Sequence, residues 1–350
     1  MIISSVLAAG FVAATGALAS KHQKQYSFKP EKAETIWNGD IPVVYDFGDS
    51  QSTSYSGSWW TSSYITGTNG EQYLVISHYL DTPVFTYFRA STLNLETLHY
   101  NQFVTLGNST ANSTSLDVKV GNNGIQSLTT DNISQQRAYA NDENVTFDIT
   151  FDATSRVISN AGAGVFQFGP SITYEWGLPN CLTQGSITNT DGKNITVDPA
   201  KSFTWYDRQW GTAAVTSGNW TWFQMHIPET SYKLSIWIID NDVTNQFSRF
   251  ATIRGDNDEI LVLPLKWKPI YGRTYQSTAA DILYPLDWEL DISGFGVFQL
   301  SSILDDQEIV GTTAIQTAYE GFVTFNGTVH SKTVQGYGLV EIVYSNWESL

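Results

Sequence analysis

LDWELDI, at positions 286–292, alternates strictly between apolar and acidic side chains. Its four apolar residues fall on one side of the chain and its three carboxylates on the other. This period of two is typical of a β-strand with one buried face. VTFDITF at 145–151 repeats the pattern. Since the two segments lie in different halves of the chain, we expect half-buried strands throughout.

Further segments rich in apolar and β-branched residues indicate more strands, separated by turn sequences such as TNG, GNNG and TDG. They are QYLVISHYL (72–80), PVFTYF (83–88), GVFQF (164–168), YKLSIWII (232–239), EILVLPLKW (259–267) and GLVEIVY (338–344). No amphipathic helix longer than about three turns is evident. The pattern predicts an all-β protein made of antiparallel barrels or sandwiches.

The length of the chain predicts two domains. At 350 residues it exceeds the usual size of one hydrophobic core. The polar segment SITNTDGKNITVDPAKS (186–202) is the expected connection. We therefore expect an N-terminal β domain over 20–200 and a C-terminal β domain over 201–350.

Charge and composition limit the partners. A formal net charge of −16 repels phosphate backbones and anionic lipids, so neither nucleic acid nor a membrane is an expected partner. Cys181 is the single cysteine, which excludes an internal disulfide. The five histidines show no metal-ligand spacing, and we expect neither a metal nor a cofactor. The oligomeric state does not follow from the sequence.

The N-terminus has the features of a secretory signal peptide. Residues 1–19 form an apolar run without charged side chains, and Ala17 and Ala19 stand in the A-x-A arrangement of a cleavage site. A membrane anchor is the alternative, but small and polar residues interrupt the run and Lys21 follows closely. We expect a cleaved leader over 1–19 and a secreted, extracellular protein.

Seven N-x-S/T sequons agree with export and predict a glycoprotein. They are Asn108, Asn112, Asn132, Asn144, Asn194, Asn219 and Asn326. In NWTWFQMHIP (219–228), a glycan on Asn219 would point to solvent. Alternation then turns Trp222, Gln224 and His226 to the opposite face. This inward face is either the lining of a cavity or an ordinary aromatic core with buried polar groups.

Two other stretches crowd charged residues among aromatic rings. In SFTWYDRQWGT (202–212), Asp207 and Arg208 are either a salt bridge or the polar end of an apolar pocket. In SITYEWGLPN (171–180), we expect the strand to end at the Gly and the Pro that follow Glu175. Burial among rings would raise the pKa of Glu175 and suit a general acid, whereas on a wet face it would be ordinary.

The motifs together resemble a known family. GSWWTSSYI (57–65), ISHYL (76–80), YEWGLPN (174–180) and WYDRQWG (205–211) are similar to those of fungal kievitone hydratases. That family belongs to a lipocalin-like group with bacterial carotenoid 1,2-hydratases and fungal Diels–Alderases. The resemblance implies two lipocalin-like β domains with a pocket between or within them. It also implies hydration of the prenyl double bond of an isoflavonoid phytoalexin outside the cell, which detoxifies it.

Hydration of a prenyl group needs a protonated acid, aromatic rings that stabilise a tertiary carbocation and a polar group that places water. Glu175 is the first candidate acid and Asp207 the second. Candidates for holding water or a phenolic oxygen are His226, Tyr174 and Gln224. The other expected substrate-binding residues are Trp59, Trp60, His78, Trp176, Arg208, Trp210 and Trp222. A pericyclase and a secreted protein that binds small molecules are the alternatives.

Overall fold

The protein folds almost entirely into antiparallel β-strands. The structure, a computed structural model, describes residues 25–33, 43–52, 57–111, 114–189, 191–212, 217–256 and 259–346. In these ranges the helical elements are α1 (Phe47–Gln51) and short 3-10 turns at Pro199–Lys201 and Ala314–Gln316. None of the described helices is long and apolar enough to cross a membrane. The predicted all-β class is confirmed, and the predicted leader over 1–19 lies outside the described residues.

The first sheet contains thirteen strands and curls around its own core. Its strands are β1 (Gly57–Thr66), β2 (Gln72–Asp81), β3 (Thr86–Asn94), β4 (Tyr100–Gly107), β5 (Asp117–Val120), β6 (Asn123–Ser127), β7 (Gln135–Asn141), β8 (Thr146–Asp152), β9 (Ile158–Ser159), β10 (Val165–Phe168), β11 (Ser171–Thr188), β12 (Asn194–Thr196) and β13 (Phe203–Gly211). Ten of them run in the order β4-β3-β2-β1-β13-β11-β8-β7-β6-β5, and β9, β10 and β12 pair with β11. Phe103 on β4 and Val118 on β5 share one core, so both ends of the path enclose the same interior.

The second sheet contains nine strands. They are β14 (Ser217–His226), β15 (Lys233–Asn241), β16 (Gln246–Arg254), β17 (Ile260–Gln276), β18 (Leu283–Ile292), β19 (Gly296–Ser302), β20 (Glu308–Ile309), β21 (Ala318–Val329) and β22 (Lys332–Asn346). The order is β19-β18-β17-β16-β15-β14-β22-β21-β20, and an additional pairing of β19 with β21 closes eight of the strands into a barrel. The apolar faces of the strands fill this barrel.

The boundary between the sheets differs from the predicted one at 200/201. β13 pairs with β1 and β11, so it belongs to the first sheet. The chain enters the second sheet only at Ser217. The polar segment 186–202 misled the prediction because it contains the turn of a hairpin between β11 and β12, within the first sheet.

β11 does not end after Glu175 as expected. It is 18 residues long and continues through Pro179 to Thr188. Its register with β13 shifts between Leu178 and Cys181, and this β-bulge accommodates a proline that has no N–H for the ladder. Glu175 therefore lies inside a long paired strand, where it is held more rigidly than a residue at a strand end.

The two sheets meet along a third apolar cluster, which we call the seam. β1 illustrates the geometry: Trp59 packs in the interior of the first sheet, and Trp60 packs in the seam. On β14, Phe223 packs inside the second barrel and Trp222 packs in the seam. The central strands are therefore buried on both faces.

An N-terminal arm, residues 25–33, ties the two sheets together. The side-chain amide of Gln72 in the first sheet exchanges two hydrogen bonds of 2.8 Å with the backbone of Tyr26. The phenol of Tyr337 in the second sheet donates to the carbonyl oxygen of Ser27 over 2.9 Å. Tyr26 and Ser27, which are adjacent in the arm, are thus hydrogen-bonded to different sheets.

The sequons lie in different environments. Asn132 is buried, and its side-chain oxygen accepts a 3.1 Å hydrogen bond from the backbone N–H of Leu116. A glycan would be attached to Nδ2, which donates to the carbonyl oxygen of Thr114 over 3.4 Å, so it would have to disturb this second contact. Asn219 is half-buried, and Asn112 lies outside the described residues. The remaining sequons are exposed: Asn108, Asn144, Asn194 and Asn326. Glycosylation of these residues remains a prediction.

Candidate active site

One row of cross-strand neighbours in the first sheet carries much of the site. Arg89 on β3 pairs with His78 on β2, which pairs with Trp60 on β1. Trp60 also pairs with Asp207 on β13, and Asp207 pairs with Gly177 on β11. Because directly paired residues share a face of the sheet, this row presents its side chains to the seam.

A second row in the other sheet faces the first. Glu320 on β21 pairs with Glu341 on β22, which pairs with Trp222 on β14, which pairs with Trp237 on β15. Trp60 connects the rows: its indole N–H donates to Glu320 over 3.1 Å, and its ring meets that of Trp222 edge-to-face at 5.2 Å. The site therefore needs both domains.

A cavity of about 340 Å³ opens between the rows. Its walls combine carboxyl groups with indole rings; they include Glu175, Asp207, Glu341, His78, Trp222 and Trp237. The loop between β2 and β3 forms part of the lining, where Val84 is 72% exposed. An apolar cavity with few placed polar groups suits a small aromatic ligand.

Glu175 and Asp207 are neighbouring carboxyl groups in this cavity. Glu175 pairs with Gln209, two residues from Asp207, so the two acids are diagonal neighbours with Cβ atoms roughly 7–8 Å apart. Their residues are only 2% and 7% exposed. Glu175 Oε2 and Asp207 Oδ1 have no hydrogen-bond partner among the described residues. Both oxygens are therefore available to a ligand.

Burial keeps protons on this pair. Loss of solvation raises the pKa of Asp207 to about 8. Loss of solvation also raises the pKa of Glu175 well above its usual value, and the charge of Asp207 raises it further. The indole N–H of Trp237 lies near Glu175 and opposes the rise, without reaching hydrogen-bond geometry. An ionised Asp207 therefore helps Glu175 to keep its proton. Of the two alternatives for Glu175, the buried one holds, and burial raises its pKa.

Two glycines in the motifs make room for charged side chains of β13. A Cβ atom on Gly177 would lie 2.2 Å from Asp207 Oδ1. A Cβ atom on Gly57 would lie 2.6 Å from Arg208 Nη1. Both distances are shorter than real contacts. A larger residue at either glycine would therefore collide with a charged side chain of β13.

Asp207 and Arg208 do not form a salt bridge, which was one of the two alternatives that the sequence left open. Successive side chains of a strand point to opposite faces, so Asp207 faces the cavity and Arg208 faces the interior of the first sheet. The guanidinium lies 3.9 Å from the centre of the Trp59 ring. Its Nε donates to the carbonyl oxygen of Ser50, in α1, over 2.8 Å. Arg208 fixes the helix in the interior, and burial raises the pKa of Asp207.

Sequence reasoning missed an ion-pair group that joins the domains. Arg89 Nη2 lies 2.6 Å from Glu320 and 2.9 Å from Glu341. Burial raises the pKa of Glu341 to about 7, and Glu320 adds to the rise while Arg89 opposes it. The available signal was a single charged residue within an otherwise apolar strand, as in GLVEIVY. Such residues are rarely buried without a partner.

The same group has the composition of a metal site. Ligand atoms of His78, Glu320 and Glu341 lie within 4.8 Å of one another. However, the guanidinium of Arg89 already contacts both carboxylates and supplies the compensating positive charge. A divalent cation would have to displace it. The residues present therefore fit an ion-paired polar group better than a metal centre.

The structure divides the predicted site residues into three groups. Those that line the cavity are Trp60, His78, Glu175, Asp207, Trp210 and Trp222. Those placed in the interior of the first sheet are Trp59, Trp176 and Arg208. Those outside the cavity lining are Tyr174, which stacks on Trp210 at 5.2 Å, and Gln224 and His226, which are hydrogen-bonded to each other at 2.8 Å.

The inward face of β14 was predicted correctly, but the reason was wrong. Trp222 does line the cavity. However, the face that carries Asn219 does not point to solvent, since Phe223 and Met225 on that face pack inside the second barrel. Asn219 escapes full burial because it lies near the end of its strand.

Two lipocalin-like β domains, with acids and indole rings meeting in a cavity at their seam, define the class of protein. The chain belongs to the AttH-like family, whose model matches residues 88–343. It is 92% identical over 350 residues to kievitone hydratase of Fusarium solani subsp. phaseoli, with 100% of both chains covered. It is 38% identical over 344 residues to dehydratase asqC of Emericella nidulans, covering 95% of this chain and 98% of that protein.

A solved structure agrees. The crystal structure of kievitone hydratase from Nectria haematococca matches with a TM-score of 0.89 and 62% identity, covering 93% of this chain and 100% of that one. The resemblance noted from the motifs is confirmed. Identity of this extent shows a hydratase, that is, a carbon–oxygen hydro-lyase.

Proposed function

We propose that the protein is a secreted hydratase that adds water to the prenyl double bond of a prenylated isoflavonoid phytoalexin such as kievitone. The product is a tertiary alcohol. The observation that carries the proposal is the pair of buried carboxyl groups, Glu175 and Asp207, which both have raised pKa values and face indole rings in the cavity. The full-length identity to a kievitone hydratase supports the choice of substrate.

The first step transfers a proton. The Glu175 carboxyl O–H gives its proton to the less substituted alkene carbon, where the π electrons form the new C–H bond. A tertiary carbocation and a Glu175 carboxylate result. The π faces of Trp222 and Trp237 stabilise the positive charge within the cavity.

The second step adds water. The oxygen of a water molecule bonds to the cation while Asp207, as a carboxylate, accepts a proton from that water. A proton then passes from Asp207 to Glu175, which restores both groups. The coupling of the two groups supports this division, because the charge of an ionised Asp207 raises the pKa of Glu175 and so favours its protonated form.

Two features of the sequence support secretion. The apolar run over 1–19 has the pattern of a leader, and four sequons lie on exposed residues. A secreted enzyme would meet a plant phytoalexin outside the fungal cell and detoxify it there.

Mass spectrometry tests the activity directly. Purified protein is incubated with kievitone and related prenylated isoflavonoids, and the expected product carries the mass of one added water. His99→Phe is a suitable control, because His99 is exposed and outside the cavity lining. Binding without a mass change would instead indicate a binding protein, and an isomer of unchanged mass would indicate a pericyclase-like activity.

A further inference from the structure

His78 holds a buried polar atom that the protein itself does not satisfy. The residue is 6% exposed and lines the cavity. Its Nε2 lies 2.8 Å from Ser58 Oγ, which fixes the ring. Its Nδ1 has no hydrogen-bond partner among the described residues. A buried nitrogen in this position is costly unless a ligand or water completes it.

Carboxylates lie across a short gap from this ring. A ring nitrogen of His78 and oxygens of Glu320 and Glu341 lie within 4.8 Å of one another. No direct hydrogen bond joins His78 to either acid. Two hydrogen bonds of about 2.8 Å that meet at a single oxygen span roughly 4.6–4.8 Å. A single oxygen atom can therefore bridge a ring nitrogen of His78 and a carboxylate oxygen that lie within this limit.

The charges around the gap favour a neutral hydroxyl. Arg89 contacts both carboxylates, so a further cation is not needed. Burial and the nearby Arg89 lower the pKa of His78, which leaves a neutral imidazole. If Ser58 donates to Nε2, then Nδ1 carries the hydrogen. A hydroxyl can then accept from Nδ1–H and donate to Glu341, which gives the buried ring nitrogen its missing partner.

We propose that His78 and Glu341 form a subsite for one phenolic hydroxyl of the substrate, an inference that rests on the function proposed above. His78 is two strands from Asp207 in the same row, a distance of about 10 Å. A ring hydroxyl anchored there holds the aromatic part of the substrate against Trp60. The prenyl group then extends toward Glu175 and Asp207.

Steady-state kinetics with matched substrates test the subsite. The substrates are a prenylated isoflavonoid and its mono-O-methyl ethers, one for each phenolic hydroxyl. The wild-type enzyme is expected to lose about 10- to 100-fold in kcat/KM for one of the ethers, because an ether oxygen cannot donate to Glu341. His78→Phe is expected to raise KM for the parent compound about tenfold, with kcat within threefold. The same variant should leave kcat/KM for the sensitive ether little changed. His78→Gln should recover part of the loss, and His99→Phe should lose nothing.

Two outcomes would overturn the subsite. One is a wild-type enzyme that accepts every ether as well as the parent. The other is a His78→Phe protein in which kcat/KM falls equally for the parent compound and for all the ethers. If His78→Phe does not fold, Ser58→Ala replaces it, since that change frees the ring and should give the same selective loss.

A binding measurement separates this proposal from the proposed function. An isoflavanone with the same hydroxyls but no prenyl group cannot be hydrated, yet it can occupy the subsite. Quenching of tryptophan fluorescence reports its binding, which His78→Phe should weaken about tenfold. Equal binding by wild type and His78→Phe refutes the subsite even if hydration is observed. Selective weakening supports the subsite even if no hydration is found.

Discussion

Glu175 is expected to deliver the reactive proton. Glu175→Gln keeps the shape of the side chain and removes its acidity, so the hydration rate should fall by about a hundredfold or more. Binding should remain, because an uncharged amide disturbs an apolar cavity little. Single-turnover rates and fluorescence titration measure the two quantities. The wild-type rate should also decline on the alkaline side as Glu175 ionises, at a pH well above the usual pKa of a glutamate.

Asp207→Asn is the matched variant for this prediction. It removes the proposed base and leaves the acid in place. If Glu175→Gln folds and hydrates at the normal rate while Asp207→Asn does not, the roles of the two residues are exchanged.

Gly177 is expected to be needed for catalysis although it has no side chain. A methyl group in Gly177→Ala would lie 2.2 Å from Asp207 Oδ1 and would push the carboxyl group aside. We expect the rate to fall about tenfold or more with a folded protein, since small misplacements of reacting groups are costly. Gly272→Ala is the control, because a Cβ there meets nothing closer than 4.0 Å. A Gly177→Ala enzyme with normal turnover would show that the position of Asp207 is unimportant.

At the scale of single elements, β13 serves two functions through its two faces. Asp207 faces the cavity, and Arg208 donates to the carbonyl oxygens of Ser50 and Ser58. Lysine carries its charge at one point and cannot reproduce the planar fork. Arg208→Lys should therefore lower the free energy of unfolding by about 3 kcal/mol, measured by urea denaturation. Arg137→Lys, at an exposed ion pair, should change it by less than about 1 kcal/mol. Equal effects of the two substitutions would contradict this role of Arg208.

The strands could be predicted from the sequence, but which face of a central strand lines the cavity could not. Alternation identifies a strand when one face is apolar and the other polar, as in LDWELDI. β1 carries buried rings on both faces, since one face lines a sheet interior and the other lines the seam, and Glu175 and Trp176 are both buried although they lie on opposite faces of β11. Trp59 and Trp176 were therefore assigned to the cavity together with Trp60, although they face the opposite side of the sheet.

For the whole molecule, the buried acids predict that stability falls between about pH 6.5 and 8. In this range Asp207, with a pKa of about 8, binds a proton in the folded protein and not in the unfolded chain. Since the folded state then binds more protons, the free energy of unfolding decreases as the pH rises, by about 1.4 kcal/mol per pH unit for each such proton. Below about pH 6.5 the buried neutral His78 and His226 act in the opposite direction.

Urea denaturation at several pH values between 6.5 and 8 checks this expectation. Asp207→Asn should reduce the slope of the free energy of unfolding against pH by the equivalent of about one proton, because asparagine does not titrate. A slope that is identical in wild type and Asp207→Asn would show that Asp207 is not protonated in the folded state.

The acids of the site differ in how far sequence could find them. Glu175 and Asp207 stand in unusual aromatic motifs, so their residue types alone drew attention to them. Glu341 and Arg89 are 252 residues apart, and each lies in an ordinary-looking strand. Arg89 lies in the first sheet and Glu341 in the second, so only the docking of the two domains brings them together.

The N-terminal arm has a consequence for the order in which the molecule is made. Synthesis proceeds from the N-terminus, and the arm meets Gln72 only 46 residues after Tyr26. Its other anchor, Tyr337, lies 310 residues after Ser27. A nascent chain on the ribosome therefore holds a half-attached arm and an uncovered row of indole rings until its last strand has emerged. Assembly of the enzyme must largely follow translation, and the unfinished seam stays open to chaperones throughout that interval.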